Sequence, residues 1–421
     1  MHILLIHQYF LEKGEGGGSR FNEMARLWEA KGHQVTVLAG MVHYNTGVKP
    51  DKYKGRYIYE DQYSEKVKVI RCHVSEAYNK NFTGRLWGYF SFVFSALYAG
   101  MFKAHGQYDV LLATSPPLFV ALPAYFISRF KRIPLVFEVR DLWPESAIDT
   151  GVLNNKFLIR ASFALEKFIY KASSLINVLT PAFRTTLIEK KNVPEDKVVM
   201  IPNAADFSLA EKASQDFDRL SLRSELGIDR DTLVIIYVGA HGVANELDQL
   251  LNAAKQLSGD PVLFLLVGDG MEKKKLMSRA GKEGIKNVKF LDPVPKETVF
   301  KYILISDIGT SVLKNVDTFK TIYSNKTFDY MSCRKPVLLA IDGVSRELVE
   351  DAGCGTYVPP ENPEAYAGAV RDYLKHPKHI KEQGERGYQY ANIHFDRELL
   401  AEKFIKELKR CARVKVDKSI N

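Results

Sequence analysis

Lys326 and Asp329 stand three residues apart in Ser324-Asn325-Lys326-Thr327-Phe328-Asp329-Tyr330-Met331, where a helix is expected over Lys326 to Cys333. Residues at i and i+3 share a helix face, and a helix start points unpaired N–H groups outward. An ammonium for a diphosphate and a carboxylate for ribose hydroxyls, flanked by Ser324 and Asn325, would suit a nucleoside diphosphate. The plainer alternative is a surface ion pair, worth roughly 0.2–0.5 kcal/mol.

A second group lies near the start, in Gly14-Glu15-Gly16-Gly17-Gly18-Ser19-Arg20. Consecutive glycines leave no Cβ atoms in the way, so a diphosphate or sugar can approach the backbone at Gly17 and Gly18. A helix starting after Ser19 favours negative charge there, and Arg20 adds a full positive charge. An ordinary surface turn is the alternative. The GxxxxGK[ST] pattern is absent, which excludes a P-loop of the NTPase kind. A dinucleotide site wants an acidic residue about twenty positions past the glycines. That count lands on Leu38, beside Ala39, so a nicotinamide dehydrogenase is excluded.

The third group is Arg140-Asp141-Leu142-Trp143-Pro144-Glu145, directly after an apolar strand. Carboxyl ends of parallel strands are where α/β domains place ligands, which would aim Arg140 and Asp141 into a cleft. A strand-end ion pair with a turn fixed by Pro144 is the alternative. Two DxD triplets, Asp216-Phe217-Asp218 and Asp229-Arg230-Asp231, fall in a polar stretch instead of at a strand end. They read as solvated charges and helix caps, with no metal.

The elements that must position these groups repeat. Ile3-Leu4-Leu5-Ile6, then glycines, then a helix to about Lys31 form one βα unit, closed by Val35-Thr36-Val37-Leu38. Leu233 to Val238, then Gly239 to Asn245, then a helix to about Leu257 form another, closed by Val262 to Val267. Two such openings imply two Rossmann-like, doubly wound α/β domains facing one cleft, with Gly239 at the second phosphate-approach turn. In the first helix Phe21, Met24, Ala25 and Trp28 make one buried stripe, and Gly32 ends it. Further strands are expected at Val110–Ala113, Leu135–Val139, Leu175–Leu179, Val198–Asn203, Ile305–Thr310 and Pro336–Ala340. The polar stretch from Glu211 to Asp231 reads as a linker, and Glu398 to Arg413 as an amphipathic helix. The expected domains are 1–207 with a returning helix at 392–421, and 208–391.

Arg85 and Lys103 bracket an uncharged run in which Gly88, Ser91, Ser95 and Ala99 form a small-residue stripe. Such a stripe lets a helix lie close to a sheet. Phe90, Phe94, Leu97 and Met101 line another face, which suits either a buried helix or one resting on a membrane surface. The glycines and serines argue against a span.

The chain has 421 residues, an apolar share of 46%, a net charge of +9 and a pI near 9.0. Those values fit packed domains and an anionic partner. No zinc-finger spacing, RNP pattern or long basic run is present, so nucleic acid ranks last. Lys273-Lys274-Lys275 reads as a solvated helix face. Cys72, Cys333, Cys354 and Cys411 show no paired spacing, which points to a reducing compartment. No apolar leader precedes the first strand, so a signal peptide is not expected.

Taken in order, these segments resemble the glycosyltransferases of the GT-B fold, family four. The resemblance runs through Gly16–Arg20, Lys31–Val37, Pro202–Asp206, Tyr237–Gly239, Leu266–Glu272, Lys326–Met331, Lys335–Val337 and Gly353–Pro360. The Arg140–Glu145 segment looks most like the branch that builds bacterial surface polysaccharides. The resemblance implies transfer of a sugar from a nucleotide-sugar, UDP-linked, with retention of configuration and neither cofactor nor catalytic metal. It implies a glycan acceptor, carried on a polyprenyl diphosphate, and a cytoplasmic enzyme peripheral on the inner face of the cell membrane. It also implies a C-terminal helix that returns to the first domain.

The departures from that family are chemical. Its two glutamates, eight positions apart, correspond to Thr321 and Asp329 here. Its Arg and Lys in the loop after the second domain's first strand are missing from Ala240-His241-Gly242-Val243-Ala244-Asn245, and its His-Asp corresponds to Arg140-Asp141. The charge of a departing diphosphate then falls to Lys326 first, Arg20 second and Arg140 third. Asp329 is assigned to ribose and Asp141 to the acceptor. A UDP-sugar epimerase and a non-catalytic nucleotide-sugar binder are the alternative functions.

Overall fold

In a computed structural model the chain divides into two compact units, Met1–Pro202 with Glu398–Asn421, and Asn203–Arg397. The structure describes all residues except 14–19, 44–46, 80–81, 150, 216 and 419–421.

The first unit is built on strands β1 (His2–Ile6), β2 (Gln34–Gly40), β3 (Ile58–Gln62), β4 (Val67–Cys72), β5 (Val110–Ser115), β6 (Leu135–Val139), β7 (Leu175–Val178) and β8 (Val198–Met200). Their order across the sheet is β3-β4-β2-β1-β5-β6-β7-β8. All neighbours run parallel except β3, which pairs antiparallel with β4 at the edge. Helices α1 (Arg20–Ala30), α2 (Phe82–Phe102), α3 (Ala121–Lys131), α4 (Glu145–Asp149) and α5 (Lys156–Ala172) make most of the crossovers. Continuous burial of β1, β5 and β6 is what a parallel sheet covered on both faces demands.

Helix α1 buries Phe21, Met24, Ala25 and Trp28, the stripe read from the spacing. It ends on Gly32 at φ +82°, with Gly32 N–H on Glu29 O and His33 N–H on Trp28 O. That paired closure is a Schellman motif, and its left-handed residue favours glycine. The helix Arg397–Lys418 supplies Leu400, Ala401, Phe404 and Leu408 to the core of this unit. Trp28 donates to Ala401 O at 3.1 Å, and its ring meets Phe404 edge-on at 5.6 Å. Helix α2 buries Ser91, Ser95 and Ala99, and a Cβ on Gly100 would come within 2.2 Å of Ile127 on α3.

The second unit is an all-parallel sheet of β9 (Leu233–Val238), β10 (Val262–Val267), β11 (Val288–Leu291), β12 (Ile308–Val312), β13 (Val337–Ala340) and β14 (Gly355–Tyr357). Its order is β11-β10-β9-β12-β13-β14. With the first unit it makes a pair of doubly wound Rossmann-like domains. The strand expected at Ile305 begins at Ile308, because Ile305 closes the helix Lys296–Ile305 and Ser306 breaks it. The expected strand Val198–Asn203 shortens to β8.

The polar stretch read as a linker is folded. Asp206 caps the helix Phe207–Ser214 through Leu209 N–H, and Asp218 caps Arg219–Glu225 through Leu220 and Ser221 N–H. Its described acidic residues are caps and solvated groups, Arg223 is buried and bonded to Ile305 O and Thr232 O, and Asp216 lies outside the described residues. Ala205 pairs with Asp396, and its N–H donates to Phe395 O at 2.8 Å. Residues 203–207 and 392–397 therefore both sit in the second unit.

Candidate active site

In the second unit the carboxyl ends of β9, β10 and β12 meet the start of the helix Asn325–Ser332. Near the end of β9 stands the buried Tyr237, whose hydroxyl donates to Ala240 O at 2.8 Å. The chain then turns at Gly239, φ +143°. A Cβ there would lie 3.4 Å from Lys326 Cε and 3.5 Å from the Tyr237 hydroxyl. Lys326 crosses this gap with Nζ 4.8 Å from the Tyr237 ring centroid, a cation–π contact.

Lys326 and Asp329 form no ion pair with each other. Lys326 makes no hydrogen bond or ion pair with a described residue, and burial brings its ammonium down to about 8. Asp329 is held up from its usual carboxylate range, chiefly by burial and then by Asp206, against the pull of Lys296, Arg397 and Lys326. Asp206 takes the direct contacts instead: Lys296 Nζ donates to it at 2.9 Å, and Arg397 Nη2 lies at 3.5 Å. The surface ion pair read as the plainer alternative is therefore absent.

The helix start is built from hydroxyls. Ser324 occupies the N-cap position but does not cap through its side chain. Its hydroxyl donates to Ser311 Oγ at 3.2 Å, Ser311 meets Thr327 Oγ1 at 3.2 Å, and Ser324 N–H donates to Ser345 Oγ. Asn325 accepts from Asn203 at 2.5 Å. Ser324 and Asn325 thus hold the turn. The N–H groups of Asn325 and Lys326 have no acceptor among the described residues, an arrangement that favours an anion. Thr321 donates to Thr318 O at 2.7 Å.

Glycines lock the neighbouring loops. Gly268, φ +146°, lies so close to Gly239 that a Cβ would stand 2.0 Å from Gly239 O. A Cβ on Gly270, φ +159°, would meet His241 O at 2.5 Å. His241 is wholly buried between Tyr237 and Phe290, with neither ring nitrogen hydrogen-bonded. Burial first, then the charge of Lys273, holds it down to about 4, so the ring is neutral near pH 7. Lys273 corrects the sequence reading. It is buried and donates to Gly268 O, Leu291 O and Asp292 Oδ1 at 2.7–3.0 Å, clamping the ends of β10 and β11.

In the first unit β1 leads into His7 and β6 into Arg140-Asp141. Arg140 N–H donates to Ser115 O, joining the ends of β5 and β6. His7 is buried and its pKa lies well below the usual value, through burial first and then Arg140 and Arg71. Asp141 accepts from the Ser146 hydroxyl at 2.7 Å. Burial raises its pKa, while Ser146 and the Leu142 N–H oppose the rise. A carboxyl raised by burial is better suited than a fully solvated one to exchange a proton near neutrality.

Arg20 is the second correction. Its guanidinium is buried and bonds Glu138 through Nε at 3.2 Å and Nη2 at 3.0 Å, Pro202 O at 2.6 Å and Ile201 O at 2.8 Å. Glu138 also accepts from Asn177 at 2.8 Å. This charge fastens α1 to β6, β7 and the end of the unit, so it is not an open cation for a diphosphate. Gly17, Gly18 and the rest of the glycine loop, 14–19, lie outside the described residues.

A hollow of about 680 Å³ lies elsewhere. It opens beside Leu135 and Leu175, at the amino ends of β6 and β7, and is also lined by Tyr125, Arg129, Arg132 and Lys197. Parallel sheets place substrates at the opposite, carboxyl ends. The only described cluster with metal-ligand spacing, Asp372, His376 and His379, is exposed at the end of the helix Pro363–Lys375.

Two doubly wound units with glycine turns and a cation-bearing helix start at the strand ends define a class, and the chain belongs to it: the GT-B glycosyltransferases. Residues 15–204 match the Glycosyl transferase 4-like domain family and 218–390 match Glycosyl transferases group 1. The sequence is similar to the putative colanic acid biosynthesis glycosyl transferase WcaI of Escherichia coli K12, 23% identical over 97% of this chain and all of that protein. The structure is similar to sucrose-phosphate synthase from Thermosynechococcus elongatus, with a TM-score of 0.73, 16% identity and coverage of 97% and 98%. It is also similar to Anabaena HepE in complex with UDP-glucose, with a TM-score of 0.70, 19% identity and coverage of 97% and 100%. Among the described residues no helix is long and apolar enough to cross a membrane.

Proposed function

We propose that the chain is a retaining glycosyltransferase of surface polysaccharide synthesis. It moves a sugar from a UDP-sugar to a growing glycan carried on a polyprenyl diphosphate, at the inner face of the cell membrane and without a catalytic metal. The observation that carries this reading is the ammonium of Lys326, held without a counter-charge beside uncapped N–H groups at the strand ends. The colanic acid relative and the UDP-glucose complex of HepE support the choice of glycan and donor.

As the sugar–phosphate bond lengthens, the sugar takes on oxocarbenium character and the diphosphate gains negative charge. Lys326 and the Asn325 and Lys326 N–H groups are positioned in advance for that charge, which is the main resource for such a step. The missing Arg and Lys of the Gly239–Asn245 loop are not replaced by His241, which is neutral and buried. Asp329, free of an ion pair, is assigned to the ribose hydroxyls. In the first unit Asp141 is assigned to the acceptor hydroxyl, with Arg140 beside it.

Calorimetry with UDP, GDP and TDP, followed by NMR of the product from the matching nucleotide-sugar with EDTA present, tests this reading. A strong preference for UDP and a product with the donor's anomeric configuration are expected. No heat with any nucleoside diphosphate would overturn it. Thr321 in place of a carboxylate favours one competing reading, a nucleotide-sugar binder without turnover, which predicts binding but no product.

A further inference from the structure

Three helices of the first unit carry a surface that the sugar-transfer chemistry does not use. On α2, Trp87, Phe94, Tyr98 and Phe102 follow one another at spacings of seven, four and four, one helical stripe, and Trp87 and Phe94 are each 58% exposed. Phe102 meets Phe130 of α3 at 6.2 Å between ring centroids. One turn back, exposed Phe126 lies against Tyr125, which packs on Phe168 of α5 at 4.7 Å. The result is one continuous aromatic band across three neighbouring helices. The sequence pointed to Phe90, Phe94, Leu97 and Met101 instead. Of these only Phe94 is exposed, because the outward stripe lies about a fifth of a turn round the helix.

The charge on these helices has one sign. Neither α2 nor α3 contains an acidic residue, and the single one on α5, Glu166, is buried and bonded to Lys191. Arg129, Arg132, Lys156, Arg160, Lys167 and Lys171 are exposed, and none forms an ion pair with a described residue. Arg129, Arg132 and Lys197, with Asp196 as the one acidic group, also line the hollow of about 680 Å³ beside α3 and the end of α5. Aromatic side chains amid unpaired cations match an anionic bilayer, where rings sit at headgroup level and ammonium and guanidinium groups meet phosphates.

At its β5 end the band turns towards the candidate acceptor residue. Phe90 and Tyr89 pack on Phe119 at 5.0 and 5.9 Å, and Phe119 packs on Trp143 at 5.8 Å. Trp143 N–H donates to Asp141 O.

We propose that the α2–α3–α5 face docks on an anionic phospholipid bilayer, and that the Phe90–Phe119–Trp143 track leads from that surface to Asp141. This deepens the reading of a lipid-borne acceptor and rests on it. A water-soluble protein with such a band would otherwise cover it with a second copy of itself.

The test is co-sedimentation of the full chain with vesicles of phosphatidylcholine alone and with added phosphatidylglycerol. Binding is expected only to the anionic vesicles, falling as salt rises. Arg132→Glu with Lys171→Glu is expected to weaken it about tenfold or more. Phe102→Ser with Phe130→Ser is expected to weaken it similarly. Both pairs should leave UDP binding and the melting temperature unchanged, because these side chains lie on the surface of the first unit. Equal binding to both vesicles, no binding, or a dimer in sedimentation that the Phe102/Phe130 pair dissolves would each overturn the proposal. The readout needs no sugar transfer, so its failure is distinct from failure of the glycosyltransferase reading.

Discussion

Lys326 lies over the ring of Tyr237, 4.8 Å from its centroid, and no carboxylate of a described residue comes within ion-pairing distance of it. The π-face steadies the ammonium without neutralising it, so its charge stays available to a ligand. Replacing Lys326 by Met keeps the stem over the ring and removes only the charge. Turnover should fall about 10²–10³-fold, the usual loss for one donor to a developing anion. UDP affinity should fall with it while the melting temperature does not drop, because the buried charge costs stability near neutral pH. Calorimetry and steady-state rates measure all three.

The same lysine sets a pH signature. Its ammonium titrates at about 8 in the folded protein, against 10.5 in an unfolded chain. Binding of a diphosphate raises that value again, so UDP affinity should be level below about pH 8 and fall above it, tending to tenfold per unit. Stability of the ligand-free protein runs the other way. Between pH 8 and 10.5 the unfolded chain holds the extra proton, so this lysine's contribution to stability increases with pH. Lys326→Met should abolish both slopes, as read by calorimetry and thermal melts across that range.

Gly239 and Gly268 should rank by contact. Gly239→Ala places a methyl 3.4 Å from Lys326 Cε on a left-handed backbone, costing roughly 1–3 kcal/mol in strain. Its main mark should be weakened UDP binding, because the methyl covers the backbone approach beside Lys326. Gly268→Ala drives a methyl to within 2.0 Å of Gly239 O, so it should cost more stability and separate the β9 and β10 loops. Urea unfolding of the two variants checks the order.

Arg20→Met should behave as a structural loss. It strands Glu138 in the core, and breaking a buried pair costs about 3–5 kcal/mol. Denaturant unfolding should show that drop, and Arg20→Met with Glu138→Leu should recover part of it. A catalytic Arg20 would instead lose turnover at unchanged stability.

Local pattern carried the elements well where it dominates. The stripe of Phe21, Met24, Ala25 and Trp28, the glycine stop at Gly32 and most apolar strands fall where periodicity puts them, because a buried parallel sheet leaves few other solutions; the strand expected from Ile305 and the long form of β8 are the exceptions. The edge pair β3 and β4 was not legible: Lys68 and Arg71 interrupt the apolar run of β4, and β3 carries Glu60 and Asp61 side by side. Charges failed for a different reason. Arg20 beside glycines and Lys273 in a basic run look like surface groups until the fold brings Glu138 and the Gly268, Leu291 and Asp292 oxygens around them. A charge reveals its partner only in three dimensions. The place of Lys326 at a helix start was legible because a helix start is a local feature, whereas its closeness to Gly239 and Tyr237 appears only in the fold.

The helix that begins at Arg397 carries a consequence for how the protein is made. Phe404 and Ala401 complete the surroundings of Trp28, yet they leave the ribosome after all of the second unit has emerged. The earliest part of the nascent chain therefore waits longest for its final contacts, with an indole uncovered throughout. A premature stop near residue 397 would release a product whose second half can mature while its first half displays a sticky, unsealed seam to the chaperones.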